Sequence, residues 1–345
     1  MKGISHFVTG VAVATFFPEV VYGAAQSLSF GPLLGGLAGL LPDTLDFKFV
    51  RYFERVDDEI DPGQVTTPSG LPDPQSIAER IAAAMDRAYD SGYRVKIRLH
   101  TLQLGADRWR QYTVAFDVPQ GQVMVRIGPV VTTGQLALPS SEVPRLVTGR
   151  AAVQANIHAT YDQEIKIDAF SGPSFAFERR EGSVHVSFLP WHRAWSHSLL
   201  LVAVLGVLGS LLSPVYGLVM ALAALAHIVE DQFGYMGSNL LFPLTRTRTT
   251  GLRLMHSGDA VGNFLLVWLG MACIFLNLDR FSSSPALPIV PYVLAVMLVP
   301  SILLLGLSLW GQRRARRHSG LEEQGISPSA MAAIELLDEG GQVDI

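Results

Sequence analysis

The sequence predicts a polytopic α-helical membrane protein with about six hydrophobic helices, the first two short, and an inserted soluble α+β domain. Of the 345 residues, 49% are hydrophobic and only 16% are charged, whereas a soluble domain has about 25% charged residues. Apolar stretches occur at residues 198–233, 260–278 and 286–311, and about 20 such residues can span a bilayer. Residues 50–190 and 313–345 have ordinary soluble composition.

The predicted membrane helices are Phe7–Ala25, Phe30–Leu41, Ser198–Leu212, Val215–Phe233, Ala260–Leu278 and Pro288–Trp310. The first two are poor spanning segments. Pro18-Glu19 interrupts the first, and the second, with about a dozen apolar residues, reaches only about 18 Å as a helix. They could form a shallow hairpin. An N-terminal signal peptide is an alternative, although Pro18-Glu19 is unsuited to the position before a cleavage site.

The positive charges of the loops predict the orientation, because cytoplasmic loops are rich in Lys and Arg. Four arginines follow the last segment, and the loop between the fourth and fifth segments has Arg246, Arg248 and Arg253. We therefore expect an inner (plasma) membrane protein whose C-terminus and inserted domain are cytoplasmic. The predicted organisation is helices 1–2 at 1–49, the inserted domain at 50–190, helices 3–6 at 191–312, and a flexible, basic-then-acidic cytoplasmic tail at 313–345.

The inserted domain opens with a charged, Pro-rich link from Arg51 to Pro74. An amphipathic helix follows at about Gln75–Asp90, where apolar residues recur at helical spacing. Alternation predicts a strand from Tyr93 to Leu99, and the turn Pro119-Gln120-Gly121 predicts a hairpin. The other predicted strands are Gln111–Val118, Gln122–Ile127, Ala152–His158, Glu164–Ala169, Ser174–Glu178 and Ser183–Phe188. We expect a small α+β domain with an antiparallel sheet, and one short helix at Ser327–Leu337 in the tail.

A His–Asp pair is the clearest candidate for chemistry. His227 and Asp231 are four residues apart near the end of a predicted membrane helix, so they share one helix face. Ionisable residues there usually face a partner or a polar cavity. Imidazole with carboxylate suits zinc or manganese. The structural alternative is a packed His–Asp hydrogen bond that fixes helix register. The single cysteine, Cys273, excludes a Cys-based metal site.

Other polar residues gather at the same predicted membrane face: His6, Asp43, Asp46, His192 and His197. Each alone has a structural reading: an interfacial histidine, or a carboxylate that ends a helix after Pro42. Together with His227 and Asp231 they have the composition of a catalytic metal site, with one ion or two. His256 is a further candidate in a loop on the same predicted face.

These motifs resemble those of the membrane-bound metal-dependent hydrolase family. The resemblance rests on the N-terminal His6, the Leu41-Pro42-Asp43-Thr44-Leu45-Asp46 turn, the stretch from His192 to Ser198, and His227 to Asp231 followed by Gly234 and Phe242-Pro243. It covers roughly residues 1–50 and 190–245 and implies hydrolysis of an ester or phosphoester, with distant similarity to zinc phospholipase C. The family turn often reads Asp-x-Asp-His, whereas here one extra residue precedes Asp46 and no His follows.

The sequence thus predicts a hydrolase at the cytoplasmic membrane face, with zinc, or alternatively manganese, held by His6, Asp43, His197, His227 and Asp231. Asp46 or Glu230 is the candidate general base. His192 and Arg193 are candidates for binding substrate, Arg193 by stabilising phosphate charge. The expected partners are the lipid bilayer and a lipid or phosphoester substrate, and no nucleic acid. Two rival functions are a transporter-like protein with a polar path and a non-catalytic membrane anchor with a structural metal.

Overall fold

A computed structural model describes residues 2–67, 70–132, 137–138, 147–159, 164–167, 172–245, 248–255 and 257–308. These fall into two compact units, Met1–Gly36 with Ser257–Ile345, and Leu37–His256. The predicted tail helix and His256 lie outside the described residues.

The chain is a mixture of helices and strands. The helices are α1 (Gly3–Thr15), α2 (Pro18–Ser27), α3 (Gly31–Leu45), α4 (Arg51–Phe53), α5 (Pro74–Ser91), α6 (Leu199–Ser210), α7 (Pro214–Gln232), α8 (Ala260–Arg280) and α9 (Ile289–Ser308). The strands are β1 (Asp58–Ile60), β2 (Val95–Leu99), β3 (Leu102–Gly105), β4 (Arg108–Asp117), β5 (Gln122–Val131), β6 (Thr148–Ala152), β7 (Asn156–Ala159), β8 (Ile165–Ile167), β9 (Ser174–Arg180) and β10 (Ser183–Phe188).

In the first unit, buried amides join α1 to α8. The side-chain oxygen of Asn263 accepts hydrogen bonds from the backbone N–H of Lys2 at 2.8 Å and from the Ser5 hydroxyl at 3.2 Å. Near the C-terminal end of α8, the Asn277 amide donates to the Thr15 hydroxyl at 3.1 Å. A buried amide is costly unless it is paired, so these bonds fix the register of the two helices.

The sheets belong to the second unit. One has the strand order β1-β2-β9-β10-β7, and the other has the order β3-β4-β5-β6 with β8 paired to β4. Helix α5 packs its apolar face on both, with Ile77, Ile81 and Met85 fully buried in the shared core. Asp73 caps this helix through the backbone N–H of Gln75 at 3.0 Å. The predicted helix and the β4–β5 hairpin are confirmed.

A smaller helical core in the same unit joins the end of α3 to α6 and α7. Leu201 and Leu205 of α6 pack with Ala224 of α7 and with Leu41 and Leu45 of α3. The side chain of Ser198 caps α6 by accepting from the N–H of Leu201. This packing brings the carboxyl end of α3 beside α7, and both carry candidate site residues.

The prediction of about six membrane helices is wrong. Among the described residues, three helices, α7, α8 and α9, are long and apolar enough to cross a membrane. Helices α1 and α2 make a fourth only if this pair, bent by 95°, counts as one span. Helix α6 has 12 residues, which reach about 18 Å, short of the roughly 30 Å of a bilayer core. Helix α3 has 15 residues, and Pro42 lies within it.

The predicted small antiparallel sheet is also wrong. The described residues form two five-stranded sheets, and two strand pairs, β1–β2 and β7–β10, are parallel. The predicted strand Ala152–His158 is divided between β6 and β7, which belong to different sheets. Alternation indicates that a segment is a strand but does not choose its neighbours.

Candidate metal site

The loop between β10 and α6, residues 189–198, carries three of the candidate residues. Its backbone turns sharply at Leu189 and Arg193, which have φ values of 43° and 59°. Such strain persists only where other contacts impose it. The partly buried guanidinium of Arg248 supplies them by donating to the carbonyls of Phe188, Leu189 and His192 at 2.7, 3.1 and 2.9 Å. Hydrogen bonds from Arg248 to backbone carbonyls therefore fix the conformation of the loop.

Helix α7 contributes His227 and Asp231, one turn apart and buried. Nδ1 of His227 lies 2.6 Å from the carbonyl oxygen of Gly39 on α3. Because a carbonyl can only accept, Nδ1 carries a proton, and in the neutral imidazole Nε2 then presents its lone pair. A neutral imidazole fixed in this way is the form that ligates a metal.

Four side chains converge on one point: Asp43, His197, His227 and Asp231 each offer one ligand atom, and these atoms lie within 4.8 Å of one another. Nε2 of His197 lies 3.1 Å from Nε2 of His227, 3.1 Å from Oδ2 of Asp231 and 3.4 Å from Oδ1 of Asp43. Nε2 of His227 lies 3.3 Å from Asp231 Oδ2 and 3.8 Å from Asp43 Oδ1.

These separations fit a tetrahedral metal. Ligand atoms about 2.0–2.1 Å from zinc stand about 3.3 Å from one another, close to most of the observed distances. The side chains of His197, His227 and Asp231 are fully buried, whereas 22% of the Asp43 side chain is exposed. The set of two imidazoles and two carboxylates could hold a divalent ion, and Asp43 marks its solvent side.

Arg193 compensates the charge of Asp231. Its Nη2 donates to Oδ1 of Asp231 at 2.7 Å, and Nη1 donates to the Asp231 backbone carbonyl at 3.1 Å. The ion pair is buried on both sides. Arg193 therefore occupies one carboxylate oxygen and leaves Oδ2 directed at the two histidines.

Asp46 organises the other side of the loop. It begins a π-helical turn, Asp46–Val50, and is fully buried. Oδ2 accepts from the backbone N–H of Arg193 at 2.8 Å and lies 2.8 Å from Nδ1 of His192, while Oδ1 accepts from the Ser196 hydroxyl at 2.5 Å. Burial would raise the pKa of Asp46, but hydrogen bonds from His192 and His197 hold it well below its usual range.

His197 belongs to two groups of potential ligands, the four-residue cluster and the group Asp46, His192 and His197. Its Nε2 faces the cluster, and its Nδ1 lies 3.4 Å from Asp46 Oδ2 and 3.0 Å from the Ser196 hydroxyl. Burial alone would lower the pKa of His197, but hydrogen bonds to Asp231, Asp43 and Asp46 outweigh it and raise the pKa to about 10. In the metal-free protein His197 is thus cationic.

His192 has the opposite electrostatic state. Burial lowers the pKa of His192 to about 4, despite the hydrogen bond to Asp46 that raises it. It is therefore neutral at pH 7, and its ring proton lies on Nδ1, which donates a hydrogen bond to Asp46. Its Nε2 lies 4.0 Å from Oδ1 of Asp43.

The structure thus brings together seven of the nine predicted site residues: Asp43, His197, His227 and Asp231 in the cluster, with Asp46, His192 and Arg193 around it. Glu230 is buried on α7 and belongs to neither group of potential ligands. His6 is buried on α1 in the other unit.

Two groups that contact the cluster histidines were not predicted, the Ser196 hydroxyl and the Gly39 carbonyl. The Ser196 hydroxyl is visible in the sequence motif, but the carbonyl of Gly39 leaves no signal in side-chain chemistry.

Comparison with known proteins adds one finding. Residues 166–314 match the model of the YdjM inner membrane protein family. The matched range includes His192, Arg193, His197, His227 and Asp231, and the candidate spans α7, α8 and α9. No curated protein and no solved structure matches the chain. The family match and the apolar helices support a membrane protein, and the His/Asp cluster could hold a metal ion.

Proposed function

We propose that this protein is a membrane-embedded metal-dependent hydrolase that acts on an ester or phosphoester of an amphiphilic molecule such as a lipid. One observation carries the proposal: ligand atoms of Asp43, His197, His227 and Asp231, from three segments of the chain, lie within 4.8 Å of one another.

These four residues would hold a zinc-like ion, with manganese as the alternative. Such an ion supplies Lewis acidity and lowers the pKa of water towards about 7. The chain orients three of the ligands through a second contact: Gly39 for His227, Asp46 and Ser196 for His197, and Arg193 for Asp231. Such outer contacts typically affect metal affinity or activity by 10–100-fold.

His192 is the residue best placed to accept a proton. Its Nδ1–H is held by Asp46 at 2.8 Å, and its Nε2, 4.0 Å from Oδ1 of Asp43, is unprotonated at neutral pH. A water molecule beside Asp43 could therefore pass a proton to His192 as its oxygen bonds to the ester carbon or phosphorus. His192 could then return that proton to the alcohol oxygen that leaves when the ester bond breaks. Asp46 acts through His192 and His197, so we assign it a positioning role. Arg193 is committed to Asp231, and we assign it a positioning role also.

The location of the cluster supports an amphiphilic substrate. His227 and Asp231 lie in the last two turns of the candidate span α7, which supports a position of the cluster at a membrane face. Directly after Asp46 come aromatic side chains that are exposed, among them Phe49, Tyr52 and Phe53, interleaved with Lys48 and Arg51. Aromatic residues with lysine or arginine are typical of the membrane–water interface.

We further propose that this face is cytoplasmic and that the chain crosses the membrane more than once. Arg246, Arg248 and Arg253 follow α7, and four more arginines follow α9, as the positive-inside rule requires. A reporter fused after Gln312 should be active only in the cytoplasm. A periplasmic signal would contradict this orientation.

The number of ligands favours a second candidate, a membrane anchor with a structural metal. Four protein ligands can fill a tetrahedral zinc site and leave no open position, as in structural sites. Only the exposure of Asp43 argues for access by water. The two functions differ in one result: an anchor binds the metal without hydrolysing any ester.

The test is hydrolysis by the purified full chain in detergent, with p-nitrophenyl esters and phosphoesters and with phosphatidylglycerol vesicles as substrates. We expect activity that is lost on chelation, restored by zinc or manganese, and absent from His227→Ala. The matched control is His100→Ala, since His100 pairs with Glu59 on the protein surface. Stoichiometric metal without hydrolysis of any substrate would favour the anchor.

A further inference from the structure

A second polar cavity, distinct from the metal cluster, lies in the same unit. It has a volume of about 140 Å³ and lies where β9 and β10 meet the segment that follows α7. None of the four cluster residues lines it. The residues used below are Arg94, Arg180, Ser187, Asn239, Arg248 and Thr250.

The cavity has an excess of positive charge. Its described lining contains three arginines and no carboxylate. Glu178 offsets the charge of Arg180 at 2.6 Å, but among the described residues no ion pair offsets Arg94 or Arg248. Burial and the charges of Arg193 and Arg94 together lower the pKa of Arg248 to about 10, while the charge of Asp46 opposes this shift. These guanidinium groups thus repel one another until an anion enters.

The donors of the cavity suit oxygen ligands. Arg248 forms the floor, and its three bonds to backbone carbonyls leave two of the five N–H donors of a guanidinium. Hydroxyls of Ser187 and Thr250 add further donors, and Arg94 stands exposed at the rim. Arginine matches the geometry of phosphate with paired N–H groups.

We propose that this cavity binds the phosphate group of an anionic ligand. Its volume is below the roughly 300–1,000 Å³ of pockets that enclose a drug-sized molecule, so it takes a phosphate headgroup and leaves the remainder of the ligand outside. The phosphate is that of a lipid headgroup or of a small soluble phosphate.

The cavity and the metal cluster share one loop. Ala194 lines the cavity, and Arg248 on its floor donates to the carbonyl of His192. The backbone N–H of Asn239, which also lines the cavity, donates to the carbonyl of Arg193 at 3.0 Å. An anion bound here therefore contacts the outer side of the loop that orients His192 and Arg193. The proposed phosphate site does not require the protein to hydrolyse an ester, so it does not depend on the proposed function.

The test is calorimetric titration of the full chain in detergent, with and without chelator. The soluble probes are inorganic phosphate and glycerol 3-phosphate, and binding to phosphatidylglycerol vesicles is compared with binding to phosphatidylcholine vesicles. We expect binding that survives chelation. Arg94→Gln and Arg180→Gln should weaken it, Arg94→Gln by about tenfold or more. The matched control Arg108→Gln, an exposed arginine outside the cavity, should bind as the wild type does.

Each outcome decides the proposal. Arg94-dependent binding of soluble phosphates identifies a soluble ligand, and Arg94-dependent binding of phosphatidylglycerol vesicles alone identifies a lipid headgroup. No binding by the wild type, or equal weakening by Arg94→Gln and Arg108→Gln, would overturn the site. Binding that is lost on chelation and insensitive to Arg94→Gln would assign the phosphate to the metal cluster instead. Arg94-dependent binding without any hydrolysis would leave the cavity assigned and remove the proposed function.

Discussion

Nε2 of His197 and Nε2 of His227 lie 3.1 Å apart, although 30 residues separate them in the sequence. His227 directs a lone pair at this contact, because its Nδ1–H is bound to the Gly39 carbonyl. Two bare nitrogens would repel at this distance, so a proton or a cation must lie between them. In the metal-free protein it is the proton of His197.

Metal binding should therefore release a proton. The carboxylates raise the pKa of His197 to about 10, so at pH 7 this imidazole must lose its proton before it can ligate. We expect about one proton released per ion, and a metal affinity that rises with pH and levels off above pH 10. Calorimetry of zinc binding in two buffers with different ionisation enthalpies measures the number of protons. Affinity that is constant between pH 7 and 9 would show that His197 is already neutral.

Asp46→Asn should weaken metal binding without removing a ligand. The amide loses the charge that orients both His192 and His197, and loss of such an outer contact costs about 10–100-fold in affinity. A competition titration with a zinc chelator measures this change in zinc affinity. The control is Asp90→Asn, on the exposed face of α5, which should bind as the wild type does. Unchanged affinity in Asp46→Asn would remove its positioning role.

Arg193→Met should destabilise the metal-free protein more than the metal-loaded protein. Removing one partner of a buried ion pair leaves a buried charge and costs about 3–5 kcal/mol, and here the remaining charge is that of Asp231. A bound dication would neutralise that carboxylate in place of Arg193. Denaturant unfolding with and without chelator gives both values. Arg87→Met breaks an exposed pair with Asp58 and should cost no more than about 1 kcal/mol. Equal losses with and without metal would contradict this assignment.

His192→Gln should keep the metal and lose turnover. His192 lies outside the four-residue cluster, so its removal leaves the ligands in place, whereas the proton acceptor is gone. General-base catalysis typically contributes about 10²–10⁴-fold, and we expect kcat to fall by that range with the metal content unchanged. If the variant loses its metal, His192 is a ligand rather than a base.

The sequence predicts best what depends on local spacing. The apolar repeat from Ile77 to Ala88 is sufficient for α5, and the turn at Gly121 for the β4–β5 hairpin. It predicts poorly what depends on where apolar residues pack. The sequence predicts Leu201 and Leu205 to be part of a membrane span. Helix α6 ends after 12 residues, however, and both side chains are buried in a protein core.

The same division applies to the candidate site. The residue types were enough to indicate the four residues of the cluster, because His and Asp within apolar surroundings need a partner. Their separate roles required the fold. Asp46 contacts residues that are 146 to 150 positions away, and no spacing rule predicts that Arg193 faces Asp231 instead of a substrate.

The metal content of the purified full chain tests the central claim most directly. We expect about one zinc or manganese ion per wild-type chain and per His100→Ala chain, and a loss of at least tenfold in metal affinity in His227→Ala, since removing one of four ligands leaves an incomplete site. A wild-type protein that holds no stoichiometric transition metal after reconstitution, or a His227→Ala variant that holds as much as the wild type, would contradict the assignment of the cluster.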